Sequence, residues 1–124
     1  MKTGMVVVVS LLILLAAAAQ SQPVFDTPVQ VLTTTGSVVE PWVSPDGLLM
    51  YYDVDTILGS GVNRDVYKSQ RADTMYAWSA PSFVPNINID GYANGEPFVS
   101  ADGLTMYYRV GEPAKIYRAT RPST

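Results

Sequence analysis

A thirteen-residue segment occurs twice in this chain of 124 residues. Glu40-Pro41-Trp42-Val43-Ser44-Pro45-Asp46-Gly47-Leu48-Leu49-Met50-Tyr51-Tyr52 returns 56 positions later as Glu96-Pro97-Phe98-Val99-Ser100-Ala101-Asp102-Gly103-Leu104-Thr105-Met106-Tyr107-Tyr108, with only three differences. A duplicated segment implies a duplicated unit of structure, so the fold must be one in which copies of a supersecondary element stack on each other. The match resumes as Val66-Tyr67-Lys68-Ser69-Gln70-Arg71 against Ile116-Tyr117-Arg118-Ala119-Thr120-Arg121, now 50 positions apart. Six extra residues in the first copy therefore fall between Asp53 and Asp65, in a connection that the second copy spans from Arg109 to Lys115. A third element, Phe25-x-x-Pro28-x-x-Val31, is matched by Trp78-x-x-Pro81-x-x-Val84. The unit is thus longer than one hairpin.

Each element of the repeat has the character of a strand. The Pro-aromatic-Val-Ser segments are short and apolar, residues 48–54 and 104–110 are rich in Tyr, Val, Leu and Met, and residues 65–71 set Val66 and Tyr67 among polar residues. The Asp46-Gly47 and Asp102-Gly103 dipeptides mark hairpin turns, because glycine accepts the positive φ that such a turn demands, and Ser44 and Ser100 can bond to turn amides. The order is strand a, turn, strand b, variable loop, strand c, and a strand d around the aromatic-x-x-Pro motif. Four short antiparallel strands in a repeat of about 40 to 55 residues describe a β-propeller blade. The expectation is an all-β chain, a partial β-propeller of two four-stranded antiparallel blades, the second incomplete, after an N-terminal signal helix. Its divisions are a leader at residues 1–19, a d-like strand and linker at 20–36 with the strand at 25–32, blade 1 at 37–90, and blade 2 at 91–124.

The leader is read from Lys2, the apolar stretch from Val6 to Leu15, and the small residues Ala16 to Ala19. The apolar run from Met5 to Ala19 is 15 residues, short of the roughly 18 to 20 that span a bilayer. The expectation is therefore cleavage near Ala19, a periplasmic or secreted protein, and no membrane association afterwards. Cleavage there leaves a mature chain of 105 residues with a net charge of −4, its signs mixed along the chain. That size suits one small domain, and that charge disfavours nucleic acid and anionic lipid as partners. With no cysteine, stability must come from packing or association, and with no histidine there is no Ser-His-Asp or Cys-His catalytic set.

Ser44-Pro45-Asp46-Gly47 followed by Met50-Tyr51-Tyr52 and Asp65-Val66-Tyr67 resembles the WD40-like β-propeller repeat of TolB-type periplasmic proteins. That family's pattern is Ser-Pro-Asp-Gly, a hydrophobic and aromatic strand, then Asp-Ile-Tyr. The second copy departs from it at Ala101 and Lys115, and the likeness runs from about Phe25 to Arg121. The resemblance implies a propeller and a scaffold for protein or ligand contacts in the cell envelope. It carries no universal catalytic residues and no cofactor.

A propeller closes with about four to eight blades, more than two repeats supply. The expectation is a fragment of a larger propeller. The alternative is a head-to-tail homotrimer in which the N-terminal strand of each copy completes the last blade of the next, covering an open sheet edge.

Three groups of residues are candidates for chemistry. Glu40 and Glu96 stand at the start of the channel-lining strand in both copies, where repeated acids would attract a cationic ligand or mark the start of a strand. Trp42 and Phe98 follow them, as core residues or as platforms for sugar rings. Asp53, Asp55 and Asp65 bracket the six-residue insertion; three carboxylates around one loop could hold calcium, or they could solubilise a long connection. Asp46 and Asp102 are explained by turn geometry. The expected function is a non-catalytic module binding a protein or saccharide. The alternative is a fragment of a propeller polysaccharide hydrolase or lyase.

Overall fold

The computed structural model describes residues 25–56 and 63–123. The expected leader at 1–19 and most of the insertion, residues 57–62, lie outside the described residues. Seven strands form: β1 (Ser37–Val43), β2 (Leu49–Asp55), β3 (Arg64–Gln70), β4 (Ser82–Phe83), β5 (Asn94–Val99), β6 (Thr105–Val110) and β7 (Lys115–Thr120). Sheet 1 has the order β1-β2-β3-β4 and sheet 2 the order β5-β6-β7, with every pair antiparallel. Among the described residues there is no helix. The chain is all-β, and each repeat builds one sheet.

The turns that start each sheet are built alike. Ser44 N–H donates to Leu49 O at 2.8 Å, Ser44 Oγ donates to Asp46 Oδ1 at 2.5 Å, and Leu48 N–H donates to the same oxygen at 3.0 Å. Ser100, Asp102, Leu104 and Thr105 repeat these bonds at the same distances to within 0.1 Å, and Gly47 and Gly103 both have φ 72°. An arginine closes each turn: Arg71 Nε donates to Gly47 O and Arg121 Nε to Gly103 O, both at 2.7 Å. Ser, Asp, Gly and Arg thus form one device that ties the third strand of a sheet to its first hairpin. The bonds from Ser44 and Leu48 hold the Asp46 carboxyl below its ordinary pKa, and those from Ser100 and Leu104 do the same for Asp102.

The central strand β2 sorts its side chains by parity. Tyr51 faces sheet 2 and packs with Val66, Val99, Met106, Tyr108 and Val110, while Trp42 and Ile87 fill the gap between the sheets. Met50, Tyr52 and Val54 face the other way, under Leu32 and Trp78. Tyr52 is fully buried, and its hydroxyl lies 2.8 Å from Ser69 Oγ. The link between the sheets is stitched by two amides. Asn88 mimics a strand, accepting from Val66 N–H at 2.8 Å and donating to Val66 O at 3.0 Å. Asn94, 1 % exposed, accepts from Ile89 N–H and donates to Tyr92 O.

Two details differ from the sequence expectation. Residues 25–34 take no strand conformation within the chain. The fourth strand of sheet 1 is only Ser82–Phe83, beyond the motif at Trp78 and Pro81, because proline has no N–H to add to a ladder.

Candidate functional site

Glu40 and Glu96 do not precede their strands. They lie within β1 and β5 at a break in register, between Val39 and Trp42 in one sheet and between Gly95 and Phe98 in the other. Both have left-handed backbones, φ 56° and 55°. Such a conformation costs a residue with a Cβ about 1 kcal/mol or more, and here the same bulge carries it at the same residue type in both repeats. The bulge turns each carboxylate outward from an edge strand, with side chains 40 % and 49 % exposed.

Behind these two glutamates sits a charge cluster around one buried carboxyl. Arg64 Nη1 lies 3.7 Å from Glu40 Oε1 and 3.7 Å from Asp53 Oδ2. Asp53 is fully buried and reaches across to sheet 2, where its Oδ1 accepts from Glu96 N–H at 3.3 Å. Its Oδ2 has no hydrogen-bond donor. Burial, followed by the neighbouring Glu40 carboxylate, pushes Asp53 up to about 7, against the pull of Glu96 N–H and Arg64. A proton on Asp53 would let it donate to the neighbouring Glu40, where two bare carboxylates would only repel. In sheet 2 the position matching Asp53 is Arg109, whose Nε lies 3.6 Å from Glu96 Oε1 and which also pairs with Glu112. The repeats therefore share the bulge and the exposed acid but exchange the residue beneath it.

Gly95 makes this contact possible. A Cβ there would lie 2.4 Å from Asp53 Oδ2 and 2.8 Å from Asp53 Cγ, against a side chain with no free space to retreat into. Gly95→Ala is expected to destabilise the fold by about 3 kcal/mol, read by urea denaturation. A loss below about 0.5 kcal/mol would mean that the sheets can part there.

The aromatic candidates separate. Trp42 is half-buried against the core, its ring centroid 6.1 Å from that of Tyr51. Phe98 is 61 % exposed and sits opposite Tyr107 on the outer face of sheet 2. The three aspartates also separate. Asp53 is registered with Val66 and turns toward sheet 2, whereas Asp65 is registered with Val54, one step round the pleat, and its Oδ1 accepts from Asn94 Nδ2 at 3.2 Å. Asp55 is buried at the end of β2. Among the described residues no group of three or more Asp, Glu, His or Cys is placed to hold a metal ion.

A cleft of about 500 Å³ opens between the sheets, walled by Tyr51, Ile87, Val99 and Met106 with Lys68 at its side. Its apolar wall is shared with the core, and no carboxylate lines it. Arg64, Arg109 and Asn94 carry no motif of their own; the signal for Asn94 and Arg109 is departure from the repeat, since the matching positions hold Val38 and Asp53. No protein-family model matches the chain, and no curated protein or solved structure matches it.

Proposed function

We propose that the chain is an exported, non-catalytic β-propeller repeat module, each sheet a blade, that binds a basic segment of a protein partner along the edge carrying Glu40 and Glu96. The observation that carries this reading is the left-handed glutamate repeated in both bulges. Strained backbone at a residue with a Cβ persists where the surroundings enforce it, and such sites concentrate where a side chain must be aimed outward for recognition. Beneath the acids, Arg64 and Arg109 hold the carboxylates in place while leaving them half-exposed. Cationic side chains are the natural complement of such an edge.

Catalysis is not part of the reading, because the one carboxyl with a strongly raised proton affinity, Asp53, has no exposed surface with which to touch a substrate. A saccharide is less well served, because Trp42 is committed to packing and Phe98 alone offers a free ring among the two repeat-matched aromatics. Export rests on the leader pattern of residues 1–19.

The test is fluorescence anisotropy with a labelled octapeptide of alternating lysine and glycine at low salt. Binding is expected, weakened about tenfold by the double substitution Glu40→Gln and Glu96→Gln and by raised salt. Equal binding by the double variant would refute the acidic edge as the site. Retention on a neutral oligosaccharide column, unaffected by that variant, would point to sugar instead.

A further inference from the structure

We infer that residues 25–32 of one copy of this chain add as the fourth strand beside β7 of a second copy, joining copies head to tail. The template is inside the molecule. In sheet 1, β3 receives β4 in the register Tyr67↔Phe83 and Lys68↔Ser82, with Val84 N–H donating to Val66 O at 3.1 Å. Just before β4, Ser79 N–H donates to Gln70 O, Gln70 N–H donates to Ser79 Oγ, and Trp78 covers the Arg71 guanidinium at 4.3 Å from the ring centroid. In sheet 2, β7 has no strand on its outer edge among the described residues. Arg121 nevertheless stands as Arg71 does, with Nε donating to Gly103 O at 2.7 Å and N–H donating to Leu104 O at 3.0 Å. What it lacks is the aromatic cover.

Residues 25–31 carry the missing pieces in the right order. Phe25, Pro28 and Val31 match Trp78, Pro81 and Val84 at a constant offset of 53. That offset puts Phe25 over Arg121, Asp26 in the place of Ser79 with a carboxylate to accept from Thr120 N–H, and Val29 opposite Arg118. The segment is unpaired and its apolar side chains face solvent, with Phe25 99 %, Val29 79 % and Val31 62 % exposed. Unsatisfied strand edge and unsatisfied apolar segment are complementary.

The occupant is a second copy, because Leu32 ties the segment to the Met50, Tyr52 and Val54 face of its own sheet 1, which is turned away from sheet 2. The edge of β7 is reached from another molecule. The same addition carries that molecule's sheet 1 over the exposed Phe98, Tyr107 and Ile116, just as sheet 2 covers their repeat counterparts Trp42, Tyr51 and Val66 here. The contact is heterologous, of the kind that closes into a ring when the blade count suits.

The chain has no cysteine, so engineered thiols report cleanly. Val29→Cys in one preparation and Arg118→Cys in another alter only exposed side chains. Mixed under mild oxidation, they are expected to give a disulfide-linked pair that neither yields alone, since directly opposed strand residues lie about 5.5 Å apart, within disulfide reach. Light scattering of the unsubstituted chain is expected to give a small closed oligomer, and Phe25→Ala to weaken association about tenfold through loss of the ring over Arg121. A folded monomer at high concentration, a mixed sample without linked pairs, or a double variant that links only within one chain would overturn the inference. Loss of peptide binding by the Glu40 and Glu96 variants leaves these readouts unchanged, so the two proposals fail separately.

Discussion

Raising the pH from 4 to 8 is expected to weaken the fold by about 4 kcal/mol, the reverse of what most carboxylates do. Asp53 has its pKa pushed from 3.8 in the open chain to about 7 in the folded one. A carboxyl that binds its proton more tightly when folded contributes stability that is fully present below 3.8, falls between 3.8 and about 7, and is gone above that. Asp46 and Asp102 work the other way. Their carboxyls are held below the ordinary value by Ser44 and Ser100, so what they contribute is present above pH 3.8 and lost as the pH falls through their lowered values. Stability should therefore peak near the acid end of the range, then decline toward neutrality. Asp53→Asn is expected to flatten the decline and to gain about 2 kcal/mol at pH 8, because a neutral amide can still accept from Glu96 N–H and can donate to Glu40 without placing a bare charge in the interior. Urea denaturation at pH 4.5, 6 and 8 for both proteins measures this. Parallel pH profiles would show that Asp53 is not the group responsible.

The second large effect is expected at Tyr52. Its side chain is wholly buried between Leu32, Val54, Tyr67 and Trp78, and its hydroxyl meets Ser69 Oγ at 2.8 Å. Tyr52→Ala removes a ring and leaves a cavity, at a cost of about 4 kcal/mol. For a domain whose whole stability is on the order of 5 to 15 kcal/mol, that is a large share. Tyr52→Phe keeps the ring and strands Ser69, costing about 1 kcal/mol. The ratio between the two separates packing from hydrogen bonding. A loss below about 1 kcal/mol for Tyr52→Ala would mean that this face of sheet 1 is not packed as described.

Strands β2, β3, β6 and β7 were legible to within a residue or so, because each carries β-branched or aromatic residues that recur between the two repeats and the Asp-Gly turns fix where each hairpin reverses. Glu40 and Glu96 stand out in the sequence as a repeated pair, but their place inside the strands does not. A residue before proline favours an extended backbone and reads as the start of a strand, whereas here each strand starts two or three residues earlier and bulges at the glutamate. Nothing in a Glu-Pro pair announces a left-handed φ. Asp53 was legible as a loop carboxylate and illegible as a buried one, because the partners that bury it, Gly95 and Glu96, lie more than 40 residues away. Composition suggests that acids lie outside; only the stacking of one sheet on the next reverses that here.

The exchange of Asp53 for Arg109 has a consequence for how near-identical repeats keep their order. Two such similar hairpins could trade places, each sheet accepting the other's neighbour, as repeat proteins do when they misassemble. The contact between sheets marks the right neighbour at one point: Asp53 approaches Gly95 and Glu96 N–H so closely that a Cβ would collide with it, and Val39, the counterpart of Gly95, carries one. The pair works as a keyed joint, a repulsive mark against the wrong neighbour as much as an attractive one toward the right. A chain carrying Asp53→Arg together with Arg109→Asp would keep its composition and lose its sense of which repeat comes first.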